Sequence, residues 1–409
     1  MCRCSSSWKP ILWVSLAVAL TVGTFKILGW LYDETMSHST NLAHDRNLGL
    51  EEAIADAMPN LFAYRTGKKR EQALREYGGN AQTEEAVARG LKWIAAQQKL
   101  GGRWRLEIVE PKEEEKFDAN EIAATAMALL PLLAAGHTHQ ADKNNPYDTC
   151  IDKGLKFLIQ SQDNQSGYLG GTMYGHGLAT IAICEAYGMT TDPALRKPAQ
   201  DAINLIIAAQ HEYGAWRYLP EKTPAGDLSI FGWQCMALKT GQAAGLDVPR
   251  VNIARAKSFI EGVCNKKDEG YCYVANGDST PTMTAVGVLC RQHQENWGPS
   301  HPRLRQAVDG IIKTNPPNPS DVYYTFHATQ VMFHDGGNGW NAWNDQMRSF
   351  ILEQQERNTK NANFGSFHPD TDRWGRQGGR LMVTSLNLLT LQVYYRHTHL
   401  SKNPYGGIW

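Results

Sequence analysis

At intervals of roughly fifty residues, a short polar cluster stands just ahead of a long apolar stretch: Asp118 with Glu121, His176, Asp227, Asp278 with Thr280, Asp321 with Tyr323 and Tyr324, and Arg380. Carboxylates and an imidazole are the groups that move protons, so Asp227, His176 and Asp321 are the candidates for proton transfer. The others, Asp118, Glu121, Asp278, Thr280, Tyr323, Tyr324 and Arg380, are candidates for holding a ligand. The same residues also start helices well. Asp118 with Glu121 reads as a capping box, Thr280 ahead of Pro281 as a helix start, and Asp227 and Asp321 as N-caps. Capping alone and a shared polar site therefore both fit the pattern.

Other polar groupings carry less. His327 and His334 lie two helix turns apart on one face, but no third ligand stands at metal spacing. His368, Asp370 and Asp372 share a turn, where a solvated loop is the expectation. No metal or other cofactor is implied.

The elements that would position these residues come from a repeat. An amphipathic stretch runs into a glutamine, then a Gly-containing turn with an aromatic, then a more apolar stretch. Gly90, Trp93, Gln98, Gly102 and Trp104 form one copy, Gly154, Phe157, Gln162, Gly167 and Leu169 a second, and Ala202, Leu205, Gln210, Gly214 and Trp216 a third. Later copies are looser. Ala256, Phe259, Cys264, Gly270 and Cys272 lack the glutamine, 301–314 lacks the turn aromatic, and Phe350, Gln354, Gln355, Gly365 and Phe367 have a longer turn. Each unit reads as an outer helix, a turn and an inner helix, none able to bury its apolar face alone. Outer helices are expected near 83–99, 147–162, 194–211, 250–264, 301–314 and 340–356, and inner ones near 118–135, 174–188, 227–244, 280–293, 321–335 and 379–396. The inner helices would run parallel, so the polar clusters would gather at one mouth of an all-α, α6/α6 toroid. The turn aromatic and the glutamine are expected to be structural.

These spacings resemble the QW repeats of squalene-hopene and oxidosqualene cyclases, with the protein prenyltransferase beta subunits related in fold. The resemblance spans about 83–396 and implies a toroid of six helical hairpins around a cavity that holds an isoprenoid chain in the enzymes. It also implies where chemistry would sit. The cyclase acid motif, Asp-x-Asp-Asp, matches Ala225-Gly226-Asp227-Leu228, where one carboxylate survives; Asp370-Thr371-Asp372 is the other Asp-x-Asp, in a turn before Arg373. A lone Asp at a helix N-terminus meets the positive end of the helix dipole, which works against a strong acid. The prenyltransferase zinc ligands match Asp278, Thr280 and Tyr324, so two of the three are replaced. The resemblance thus implies a squalene-cyclase-like repeat protein binding an apolar, isoprenoid-like ligand without standard cyclase chemistry. An active terpenoid cyclase or isomerase with a displaced acid and a toroidal interaction scaffold are the alternatives.

Composition is that of an ordinary globular chain: 409 residues, 42% hydrophobic, 20% charged, with 41 basic and 41 acidic side chains. That balance offers no basic field for a nucleic-acid partner. Ile11 to Phe25 carries no charge, and apolar character resumes from Ile27 to Tyr32, long enough together to cross a bilayer. Arg3 and Lys9 precede this segment and Asp33 and Glu34 follow it, which places the N-terminus in the cytoplasm and the body on the periplasmic or extracytoplasmic side. A cleaved signal peptide ending near Ala17-Val18-Ala19 is the rival reading. The expected organisation is a single-pass membrane anchor or signal at 1–32, a tether with local helix at 33–82, the ring at 83–396 and a tail at 397–409. Of the eight cysteines, Cys184, Cys235 and Cys290 fall in inner helices as buried small side chains. Cys264 and Cys272 flank one turn and could pair. Cys2 and Cys4 are candidate acylation sites.

Overall fold

The structure, a computed structural model, describes residues 62–106, 117–222 and 226–400, with the side chains of 117–120 and 311–313 excepted. The expected anchor or signal, most of the tether and the last nine residues lie outside the described residues. Among those described, no helix is long and apolar enough to cross a membrane, and β-structure is limited to isolated bridges.

After a short 3-10 turn at Ala63–Arg65, the helices are α1 (Gly67–Tyr77), α2 (Ala81–Ala96), α3 (Phe117–Ala134), α4 (Asp148–Ser161), α5 (Met173–Thr190), α6 (Pro193–Ala209) and α7 (Leu228–Ala243). They continue as α8 (Arg250–Gly262), α9 (Pro281–Glu295), α10 (Pro302–Thr314), α11 (Val322–Asp335), α12 (Gly337–Gln354), α13 (Gly375–Leu391) and α14 (Val393–Arg396). Odd-numbered helices α3 to α13 each pack on the next, and α13 packs back on α3, which closes an inner ring of six. Helices α2 to α12 of even number sheathe it.

The division of labour follows from composition. In α5 every residue from Met173 to Ala186 except Tyr174 is buried, as a helix covered on all sides must be. In α2 burial is confined to one face, at Ala86, Val87, Gly90, Leu91, Trp93 and Ile94. The small residue of each repeat has a steric reason: a Cβ on Gly90 would meet Leu388 of α13 at 2.5 Å, and one on Gly154 would meet Leu129 of α3 at 2.9 Å. Gly379 breaks α13 with φ +61°, so its regular part begins near the expected start at 379.

The glutamine does one job four times. Gln98 Nε2 donates to Gly102 O and to Cys150 O, both at 2.9 Å. Gln162 reaches Gly167 O and Pro198 O at 3.0 Å, Gln210 reaches Gly214 O and Asn252 O at 3.0 Å, and Gln355 reaches Gly365 O and Ala86 O at 2.8 Å. Each amide thus ties its own turn to the next outer helix, and the last ties the sixth hairpin to the first. The turn glycine permits the approach: Gly214 has φ +91°, and a Cβ there would lie 1.8 Å from Arg255 O. Trp104 and Trp216 are fully buried and donate to Ile94 O and Ile206 O at 2.8 and 2.7 Å, each burial contributing roughly 1.5–3 kcal/mol.

Where Cys264 replaces the glutamine, Arg303 of the next outer helix supplies the tie, donating to Cys264 Sγ at 2.9 Å and to Glu269 at 2.8 Å. Cys264 and Cys272, which could have paired across this turn, are both free. The first ring helix is capped by Asn80, in a reciprocal capping box with Thr83. Within the stretch expected as tether, Arg65 forms an ion pair with Glu185 of α5, and Arg70 bonds Glu84 and Tyr395.

Removing the Gln355 amide leaves two buried carbonyls unsatisfied. Gln355→Ala should lose roughly 2–4 kcal/mol in urea unfolding, whereas Gln354→Ala, an exposed neighbour, should stay within about 0.5 kcal/mol.

Candidate functional site

The inner helices begin side by side. Met173 N at the start of α5 donates to Tyr218 O at 2.8 Å, and Leu228 N at the start of α7 donates to Tyr273 O at 2.9 Å. Thr282 Oγ1 of α9 donates to Asp321 at the head of α11 (3.3 Å), and Val322 N donates to Asp372 ahead of α13 (2.7 Å). One mouth therefore holds Asp227, Thr280 and Asp321, though in separate groups.

Asp227 is fully buried and caps α7. Its Oδ1 accepts from Ile230 N at 3.0 Å and Ser229 Oγ at 2.7 Å, and its Oδ2 faces Arg217 Nη1 at 3.3 Å. Both oxygens are engaged, so no face of the carboxyl is presented to a ligand. Around it stand four tyrosines: Tyr174 stacks near Tyr218 with ring centroids 6.4 Å apart, and Tyr218 OH meets Tyr273 OH at 3.3 Å. Tyr174 OH donates to Tyr323 OH at 3.1 Å. Helices α5 and α11 face each other across the ring, so this bond spans its axis. Trp233 of α7 fills the space beneath, stacked on Phe326 at 5.9 Å and edge-on to His327 at 5.7 Å. The axis is an aromatic plug. Burial pushes the Tyr174 hydroxyl up to about 12. In the plug the Trp233 indole lies against the Tyr174 hydroxyl, and His327 Nε2 has no hydrogen-bond partner.

Asp321, Thr280 and Tyr324 form a second group with Thr282 and Arg373, lining an open cleft of about 500 Å³ floored by Pro316 and Pro319. Asp321 caps α11 through Tyr324 N at 2.9 Å and lies 3.9 Å from Arg373 Nη1. Thr280 caps α9 through Met283 N at 3.1 Å, and Asp278 beside it is exposed.

The remaining candidates are elsewhere. His176 is fully buried between its own turn and outer helix α6: its Nδ1 accepts from Leu169 N at 3.3 Å and its Nε2 donates to Ala202 O at 3.0 Å. Glu121 binds Arg103 and Arg105 at 2.9 and 2.5 Å. Arg380 donates to Ser366 Oγ at 3.2 Å. The side chain of Asp118 lies outside the described residues. Among those described, no three His, Cys, Asp or Glu side chains are grouped to hold a metal ion.

Sequence reasoning missed Arg217, Tyr174, Tyr218, Trp233 and Tyr273; the available signal was the run of tyrosines at turn ends, which the repeat pattern did not contain. It also misplaced Asp372. That residue is buried rather than solvated and accepts from Val322 N and from Trp374 N at 2.8 Å. Burial raises its carboxyl above the ordinary range.

No protein-family model matches the sequence, and no curated protein matches it significantly. Solved structures do match the fold. The α-1,6-mannanase GH76A of Salegentibacter sp. HEL1_6 is 10% identical at TM-score 0.55, over 76% of this chain and 98% of that one. An α-amylase from Clostridium perfringens is 12% identical at TM-score 0.53, over 76% and 98%. A variant of the type II terpene cyclase MstE from Scytonema, in complex with geranylgeranyl dihydroxybenzoate, is 13% identical at TM-score 0.52, over 77% and 97%. The fold is thus an all-α toroid of six hairpins, like that of the terpene cyclase, the mannanase and the amylase. Fold alone does not choose among these activities.

Burial holds His176 and His327 down to about 4 and also lowers His293, His334 and His397. An unfolded histidine takes up its proton near pH 6.5. Between about 6.5 and 4 the unfolded chain therefore binds more protons than the folded one, and stability falls as pH is lowered. Urea midpoints measured from pH 7 to 4.5 should drop steadily, and His327→Phe should flatten the slope by up to one proton.

Proposed function

We propose that this chain is a ligand-binding toroid of terpenoid-cyclase-like fold that works without cyclase chemistry, its ligand an apolar, isoprenoid-like molecule held at the mouth rather than deep in the ring. The observation that carries this reading is the state of Asp227, whose two oxygens are taken up by Ile230, Ser229 and Arg217. A protonating acid needs a free face toward an alkene. The ligand class is argued from exposure: Tyr218, Leu219, Tyr273 and Val274 are exposed, and the Tyr218–Tyr273 contact makes them one aromatic and aliphatic rim over the plug. The unpartnered His327 Nε2 below it favours a ligand with one polar end, such as an alcohol. The likeness to a cyclase solved with a geranylgeranyl compound agrees with this class. Residues 11–32 would tether the ring to a membrane, the source of such molecules, with the body on the extracytoplasmic side.

The Tyr174–Tyr323 bond across the axis favours a second reading, an interaction scaffold whose ring is filled by its own side chains. Native mass spectrometry of the detergent-extracted full chain separates the two. A co-purifying isoprenoid, lost in a Tyr218→Ser/Tyr273→Ser variant that melts like the parent, is the expected result. A chain that carries no lipid and takes up no added polyprenyl alcohol would leave the scaffold. Turnover of a polyprenyl substrate that Asp227→Asn abolishes would establish the cyclase alternative against both.

A further inference from the structure

Two sulfurs meet inside the wall of the ring, in a place the proposed function does not use. Helices α7 and α9, the inner helices of the third and fourth hairpins, pack side by side, and contacts at two heights fix their register. A Cβ on Gly232 of α7 would lie 2.7 Å from Val286 Cγ1 of α9, so the helices come close there. Two turns further along, Lys239 of α7 meets the His293 ring of α9. Cys235 and Cys290 occupy the turn between these contacts, and their thiols are within hydrogen-bond reach of each other. Both are almost fully buried, each at 2% exposure.

The local geometry suits a covalent bond. A disulfide needs Cα atoms about 4.4–6.8 Å apart, and a glycine one turn away lets two helices approach that closely. Gln294 of α9 donates from Nε2 to Cys235 Sγ at 3.1 Å, which holds that sulfur toward α9. The cysteines of the neighbouring turn are arranged differently: Cys264 Sγ lies against Arg303 and Glu269, while Cys272 Sγ donates to Gly277 O at 3.0 Å. As a free thiol Cys290 gains little, since S–H is a weak donor. Contact with Cys235, together with burial, also pushes the Cys290 thiol up, so it stays protonated inside the folded ring. Exchange requires a thiolate, and oxidation therefore belongs to folding, or to moments when α7 and α9 part.

We propose that Cys235 and Cys290 are a disulfide-forming pair, which staples the third hairpin to the fourth through the inner layer when the chain meets a small-molecule disulfide as oxidant. The step is thiol–disulfide exchange. One cysteine, as the thiolate, attacks a sulfur of the oxidant and releases its first thiolate; the second cysteine then attacks the mixed disulfide and releases the other. The oxidant's S–S bond breaks and takes up two electrons, the Cys235–Cys290 bond forms, and the two protons lost by the cysteines end on the two released thiols. The closed loop contains α8 and the Cys264 turn, the unit in which the glutamine is missing, so the staple restrains the unfolded chain over that stretch. It lies in the ring wall and does not depend on what the mouth binds.

The test is a thiol map of the full chain in detergent. One sample is blocked with N-ethylmaleimide at cell lysis; a second is reduced, moved into excess glutathione disulfide just below its melting temperature, and then blocked under denaturing conditions. After digestion without reductant, mass spectrometry should find the Cys235 and Cys290 peptides joined, about 2 Da lighter than their sum. A link present at lysis means that the cell supplies the oxidant, and a link formed only with glutathione disulfide means that the pair is kept reduced there; both support the pair. The linked chain should melt on the order of 5 °C above the dithiothreitol-reduced one, and Cys290→Ala should abolish that difference. Cys235 and Cys290 both blocked by maleimide in every sample overturns the proposal, as does either one joined to a different cysteine in a chain that remains folded. If Cys290→Ala does not fold, the peptide map of the wild-type chain decides alone.

Discussion

The ring exists because a glutamine amide can donate to two carbonyls at once. In each intact unit one N–H of the side chain satisfies the turn that follows its own helix, and the other reaches the adjacent outer helix. Neither bond alone would set register. Together they fix the height and rotation of each hairpin against the next, and the turn glycine lets the backbones come close enough for both to form. Closure follows when Gln355 reaches Ala86. Because no hairpin can bury its apolar face alone, the fifty-residue units have stability only as a closed set. The Cys264 junction shows that what must be kept is the tie and not the residue, since Arg303 crosses the same gap.

That constraint also shapes the mouth. Register fixes where the inner helices begin, and each start leaves backbone N–H groups to be satisfied. Asp227, Thr280 and Asp321 take that role, and Asp372 does so for α11 from the neighbouring turn. A carboxylate committed in this way is a poor proton donor. The aromatic plug has a similar effect on volume: Tyr174, Trp233, Tyr323 and Phe326 occupy the axis where a substrate chain would have to lie. Binding at the rim is what this arrangement leaves available.

The fold was legible because its determinants are local. Small residue, glutamine and glycine recur at fixed offsets, and each has a contact that requires that residue type, so helix positions followed to within a few residues. The candidate site was legible only as a set of helix starts. Whether His176 faces the mouth or the outer layer depends on the rotation of α5, and its bond to Ala202 O lies 26 positions along the chain. Asp372 looked like a solvated turn residue because its partner, Val322 N, is 50 positions away. The Tyr174–Tyr323 pair, 149 apart, has no local trace at all. Long-range closure made these contacts, and spacing within one unit does not encode it.

Parallel inner helices give the ring two electrically different ends, partially positive where they start and partially negative where they stop. Acids at the first end and bases at the second are therefore what the helices themselves select, and neither is evidence of a site by its presence. The deciding quantity is what remains after the backbone has been served. At Asp227 both oxygens are engaged by groups that the fold must satisfy anyway. At Arg396 one N–H reaches Glu185 while Nε and Nη1 stay buried and without an acceptor. By that measure the Asp227 carboxylate is spent on structure, while two Arg396 donors remain without a partner.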